Sequence, residues 1–124
     1  MGKEFLEKAE ENLKAAQLLL ENGLYNAAVN RAYYAAFQAA VFALKKFGFD
    51  FERLSHTSVQ ALFNGELIGR KKLFPASLRS YLFDLQLLRN DADYEEISIS
   101  KKEATRHLKK ANDFVRTVER RIEQ

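Results

Sequence analysis

The sequence has no cysteine and no tryptophan, one proline and five glycines among 124 residues, and each scarcity removes a class of protein. Without cysteine there can be no disulfide framework, no thiolate metal site and no cysteine nucleophile. With so few prolines and glycines, long stretches of chain run free of helix breakers. The longest apolar stretch, Ala32 to Leu44, is interrupted by Gln38 and is too short to cross a bilayer. Met1-Gly2-Lys3-Glu4-Phe5 lacks the charged-then-apolar layout of a secretory signal, so a cytoplasmic location with no membrane association is expected. Charge of one sign is scarce too. Twenty Lys and Arg face seventeen Asp and Glu, and a net charge of +3 permits nucleic acid as a partner without arguing for it.

What remains is 47% hydrophobic and 30% charged, the balance of a folded domain, and the length allows a single domain over 1–124. From Lys3 to Asn22, Leu6, Ala9, Leu13, Ala16 and Leu20 recur at three- and four-residue steps, predicting an amphipathic helix closed at Asn22-Gly23. A second helix is predicted from Tyr25 to Phe47, stopping at Gly48. Its centre is apolar nearly all round, the mark of a helix touched on several sides. A shorter helix follows from about His56 to Leu67. Asn64 to Lys72, with two glycines and the run Arg70-Lys71-Lys72, reads as an exposed loop. Pro75 suits the first turn of the next helix, which carries Leu78, Leu82, Leu85 and Leu88 and runs into Arg89-Asn90-Asp91-Ala92-Asp93-Tyr94. Ser100 with Glu103 forms a capping-box pattern for a last helix whose stripe is Ala104, Leu108, Ala111, Val115, Val118 and Ile122. No stretch alternates like a strand. The expected fold is all-α: an up-and-down antiparallel four-helix bundle with an additional short helix.

Familiar catalytic patterns are missing. There is no phosphate-binding glycine loop, no His-Glu-x-x-His and no Gly-x-Ser-x-Gly, and neither histidine has partners at metal-ligand spacing, so no metal and no cofactor is expected. His56, between Ser55 and Thr57, reads as a helix-start residue, and His107, among Arg106, Lys109 and Lys110, as part of a solvated face. Arg89 is more informative. It lies four residues after Leu85, about 40° around the helix from a core position. A guanidinium there must emerge at the edge of the buried stripe or meet an acidic partner, and Asp93, at i+4, could be that partner, with Tyr94 packing beneath the pair.

Taken together, Asn30-Arg31-Ala32-Tyr33-Tyr34-Ala35-Ala36-Phe37 and Arg89-Asn90-Asp91-Ala92-Asp93-Tyr94 resemble the HEPN family (higher eukaryotes and prokaryotes nucleotide-binding domains), over nearly the whole chain and most closely its small standalone prokaryotic members. The resemblance implies a helical bundle that commonly forms a homodimer and pairs with a minimal nucleotidyltransferase. Many members are metal-independent endoribonucleases with an Arg followed, four to six residues later, by His. Carried over, Arg89 is the motif arginine, Asn90 the polar residue after it, and Tyr94 stands where the histidine is expected; Asp93 belongs to the same segment. Arg89 suits phosphate contacts. Tyr94 is a poor base, since a phenol of pKa about 10 stays protonated at neutral pH and bringing it down by about three units takes roughly 4 kcal/mol. In some members a tyrosine two residues after the histidine carries a nucleotide; Glu96 occupies that place here, so that role does not transfer.

Three functions follow as expectations. The first is a homodimeric binder of nucleotide or RNA phosphate, through Arg89, Asn90, Asp93 and Tyr94, that partners a nucleotidyltransferase in a toxin–antitoxin-like pair. The second is an endoribonuclease toxin using Arg89 and Tyr94, or a histidine brought in by folding or by the other subunit, for which His56 is the one to test. The third is a purely structural helical interaction module.

Overall fold

In the computed structural model, residues 2–50, 55–94 and 98–123 are described, the side chains of 93 and 94 excepted. Five α-helices account for most of them: α1 Lys3–Glu21, α2 Tyr25–Lys46, α3 His56–Leu62, α4 Tyr81–Tyr94 and α5 Lys101–Glu123. No strand occurs among the described residues. The fold is the all-α bundle expected, and no helix among them is long and apolar enough to cross a membrane.

The second helix is the axis of the molecule. It packs against α1, α4 and α5 and also meets α3. From Ala32 to Leu44, every residue except Tyr34 and Gln38 is buried. The alanines explain how four neighbours fit around one helix. Ala32, Ala35, Ala36, Ala39, Ala40 and Ala43 are all fully buried, and each lets a facing backbone come close without leaving a gap. Large rings then fill the ends and corners. Phe63, Phe74 and Phe114 form one aromatic group, with Phe63 centred 5.3 Å from Phe74 and 5.1 Å from Phe114.

The helix ends follow local chemistry. Gly23 (φ 75°) and Gly48 (φ 93°) close α1 and α2 in the left-handed region, where any side chain would be strained. Before α5, the Glu103 N–H donates to Ser100 Oγ at 3.1 Å and the Glu103 carboxylate accepts the Ser100 hydroxyl at 3.2 Å, the reciprocal cap expected from sequence. Ser100→Ala should therefore lower stability by about 1 kcal/mol, readable in a thermal melt, whereas Ser100→Asp should leave it close to wild type. Asn26 fixes the other side of this corner: its side chain donates to the Ala92 carbonyl at 3.4 Å and accepts the Ile99 N–H at 3.1 Å. The C-terminal end of α4 is thus tied to α2 and to the entry of α5. Lower down, Arg116 of α5 reaches across to the Glu10 carboxylate of α1 and to Glu119, at 3.0 Å each.

One expectation fails. Asn64 to Lys72 is not an exposed loop; α3 continues into a wide π-helical stretch, Phe63–Arg70, in which Phe63, Leu67 and Ile68 are buried. One of the two glycines that suggested a loop, Gly69, instead accommodates a close approach within the wide turn. A β-carbon on Gly69 would stand 3.3 Å from the Asn64 carbonyl oxygen, tighter than most such contacts. Opening the turn to hydrogen bonds such as Lys71 N–H to Glu66 O, 2.8 Å, turns the neighbours Leu67 and Ile68 both toward the core. The basic run expected in that loop follows at its exit, with Arg70, Lys71 and Lys72 exposed. A 3-10 turn, Ala76–Ser80, opens after Pro75 and leads into α4, so the proline sits at the helix entrance as expected.

Candidate functional site

The last helix before the α4–α5 corner presents Leu82, Leu85 and Leu88 to the core. Arg89 follows them at the margin of that stripe and is half-buried. Its guanidinium is laid across the aromatic surface of α2. One nitrogen (Nη2) donates to the Tyr34 hydroxyl at 3.0 Å, and the other (Nη1) to the Asn90 side-chain oxygen at 3.3 Å. The charged carbon lies 5.7 Å from the Tyr33 ring centre and 5.3 Å from that of Tyr34. Aromatic faces attract a cation, so an arginine can be held at the edge of a core in this way at modest cost. Asn90 is brought to the site as expected.

A second arginine reaches the same ring. Arg31, three residues before Tyr34 on α2, places its charged carbon 4.9 Å from the Tyr34 centre. Its N–H groups are occupied by the Asn30 side-chain oxygen, at 2.6 and 3.1 Å, and by that of Asn12 on α1, at 3.2 Å. Two guanidinium groups thus share one phenol ring, and guanidinium groups are well suited to phosphate oxygens.

His56 completes the group. Ser55 caps α3 by accepting the Ser58 N–H at 3.1 Å, which fixes His56 as the first helical residue, as its sequence position suggested. The ring, however, turns inward onto α2, centred 4.9 Å from Phe37 and 5.3 Å from Tyr33. Its Nδ1 is hydrogen-bonded to the hydroxyl of the fully buried Tyr33. Gln60, one turn along α3, also reaches the Tyr33 hydroxyl and donates to the Gln86 side chain on α4. A polar seam therefore runs through α2, α3 and α4 directly behind Arg89.

Burial holds the Tyr33 phenol well above its usual range, outweighing the opposing pull of Arg89, so this hydroxyl keeps its proton. His56 moves the other way: burial first, then the charge of Arg89, push its pKa below the ordinary value and keep the ring neutral at pH 7. The folded state thus binds fewer protons here than the unfolded chain. Stability should be full above the unfolded pKa of about 6.5 and should fall as pH drops from there through the folded pKa. His107 contributes in the same sense. It is half-buried rather than on a solvated face, with Nδ1 3.0 Å from the Glu103 carbonyl, and burial lowers its pKa. Urea denaturation at pH 7 and pH 5.5 should show the loss, and His56→Asn should reduce it.

Asp93 and Tyr94 stand in the final turn of α4, but their side chains lie outside the described residues, and with them the expected Arg89–Asp93 pair. Arg31, Tyr33, Tyr34 and the inward turn of His56 were not recognised as site features in the sequence. The Arg31–Tyr34 step was open to view as an i, i+3 pair; the approach of α3 was not. Among the described residues no three His, Asp or Glu gather as a metal site would require.

Comparison with known proteins finds relatives along most of the chain. A protein of Thermotoga maritima named "UPF0332 protein" is 32% identical over 117 residues, covering 94% of this chain and 86% of the relative. One of Gloeobacter violaceus with the same family designation is 31% identical over 91 residues, 73% of this chain and 70% of its own. A Methanocaldococcus jannaschii protein named "Putative toxin" is 32% identical over 112 residues, 89% and 74% of the two chains. The model of the HEPN domain matches residues 3–121, and the chain belongs to the HEPN domain family.

Proposed function

We propose that this protein binds the phosphate of a nucleotide or RNA at Arg89, as a cytoplasmic homodimer that partners a minimal nucleotidyltransferase in a two-component, toxin–antitoxin-like system. The observation that carries the reading is the preset guanidinium. Arg89 is held across two tyrosine faces and by the Tyr34 hydroxyl, with Asn90 beside it and Arg31 on the same ring. A cation ordered before the ligand arrives loses little further freedom on binding. The dimer and the nucleotidyltransferase rest on the family resemblance. On α4, Phe83 and Leu87, one turn apart, are 54% and 48% exposed and are the apolar side chains a second copy could cover.

The test is binding of a fluorescent single-stranded RNA and of AMP, followed by anisotropy and calorimetry. Wild type should bind in a salt-dependent way, and Arg89→Ala should not; equal binding by both would remove Arg89 from the site. Sedimentation reads the dimer, and co-expression with a minimal nucleotidyltransferase reads the partnership.

A second reading, an endoribonuclease toxin, is favoured by the relative named as a toxin and by an arginine placed to steady the charge of a phosphorane. It predicts RNA cleavage by wild type without added metal, abolished in Arg89→Ala. Intact RNA after prolonged incubation with wild type would leave the binding role alone.

A further inference from the structure

Next to the Arg89 site an open cleft of about 410 Å³ lies between two walls. Thr57, Gln60, Ala61 and Asn64, from α3 and its π-helical continuation, form one; Phe83 and Gln86 of α4 form the other. Its size falls within the range of small-ligand sites. We propose, resting on the phosphate-binding reading at Arg89, that this cleft takes a nucleobase of the same ligand, stacked on Phe83 and met at its edge by the amides of Gln60 and Gln86.

Placement is the first support. Phe83, Gln86 and Arg89 follow one another at three-residue steps on α4, a slanting row that rises about 9 Å along the helix. That span suits a ligand in which a sugar separates a flat base from a phosphate. The two places also share a wall. Gln60 lines the cleft and bonds to the Tyr33 hydroxyl, and the Tyr33 ring centre lies 5.7 Å from the charged carbon of Arg89.

Chemistry is the second. Among the described residues no charged side chain lines the cleft, so it offers little to a second phosphate and much to an uncharged polar ring. Phe83 is 54% exposed, and every base has a π-face to lay on such a ring. Gln60 donates to the Tyr33 oxygen and to the Gln86 side-chain oxygen, which occupies both of its N–H groups and leaves its own oxygen as an acceptor. The Gln86 amide hydrogens meet no partner among the described residues. An acceptor and a donor therefore border the cleft side by side, the complement of a base edge. Asn64 adds a third group: its Nδ2 donates to the Arg79 carbonyl at 3.1 Å, while its Oδ1 is buried with no partner among the described residues. A buried acceptor without a donor is unfavourable, and a turn of this amide toward an amino group in the cleft would relieve it. Leu87 lies outside the cleft, so a second copy can cover it while Phe83 stays with the ligand.

The experiment uses the full chain and a short fluorescent abasic ribose-phosphate oligomer, compared at fixed salt with the same oligomer carrying one adenine, guanine, cytosine or uracil. Wild type should bind at least one base-bearing oligomer roughly 10-fold more tightly than the abasic one. Phe83→Ala should lose most of that advantage and leave abasic binding unchanged, whereas Phe83→Trp should keep it. Gln86→Ala should flatten the differences among the four bases. Equal binding of abasic and base-bearing oligomers by wild type overturns the base site and leaves phosphate binding at Arg89 standing. If Arg89→Ala binds every oligomer as wild type does while Phe83→Ala loses the preference, the phosphate reading falls and the base site stands. Binding of no oligomer by wild type overturns both. A Phe83→Ala variant that keeps the preference but sediments as a lighter species overturns the base site as well, since Phe83 would then be covered by a second copy.

Discussion

Arg89→Lys should weaken phosphate binding nearly as much as Arg89→Ala, by roughly 10- to 100-fold, although it preserves the charge. The reason lies in how the guanidinium is held. Its planar surface covers parts of two tyrosine rings while its nitrogens engage Tyr34 and Asn90. A lysine ammonium is a compact, strongly hydrated charge and cannot lie flat on the rings while also presenting a two-pronged edge to phosphate. Hydrogen bonds to charged groups contribute about 1.5–3 kcal/mol, which corresponds to the stated loss when one is removed. Anisotropy titrations of wild type, Arg89→Lys and Arg89→Ala against one RNA at fixed salt measure this. Full retention of affinity by the lysine variant would mean that charge alone matters. Thermal melts separate a ligand site from a helix-end ion pair. A structural pair requires Arg89→Ala and Asp93→Ala to destabilise equally, whereas a site arginine can be lost at little cost to folding.

The largest stability effect should come from Phe63→Ala. Phe63 is fully buried, stacked on Phe74 and tilted against Phe114, and it opens the wide helical stretch that continues α3. Removing a buried ring typically costs about 3–5 kcal/mol, a large part of the 5–15 kcal/mol that holds a domain of this size. The expected fall in melting temperature is about 10–25 °C, followed by far-ultraviolet circular dichroism. Phe63→Leu, which keeps most of the volume, should lose far less. Because α3 carries His56 seven residues earlier, Phe63→Ala should also loosen the polar seam before the bundle melts, which amide exchange at Gln60 and Val59 would register.

The bundle was legible in the sequence where structure is governed by local spacing. The apolar steps of α1 and α5, the left-handed glycines at 23 and 48, and the Ser100–Glu103 cap each depend on residues within a turn or two of one another. The segment after α3 misled for the same reason. Two glycines and three basic residues are local signals for a loop, but burial of Phe63, Leu67 and Ile68 against the rest of the bundle overrides them. Of the site, Arg89 and Asn90 were recognisable through the family motif. His56 was read correctly as a helix-start residue. Its inward turn onto Tyr33 depends on where α3 docks, and no spacing within residues 55–60 encodes that.

The absence of tryptophan acquires a practical meaning beside this site. The intrinsic ultraviolet fluorescence of the protein comes from five tyrosines, and two of them are Tyr33, bonded to His56, and Tyr34, beneath two guanidinium groups. A phosphate that draws on Arg89 changes the field across both phenols at once. Phosphate binding as proposed should therefore appear in the tyrosine signal of the unlabelled protein, with Tyr34→Phe as the control.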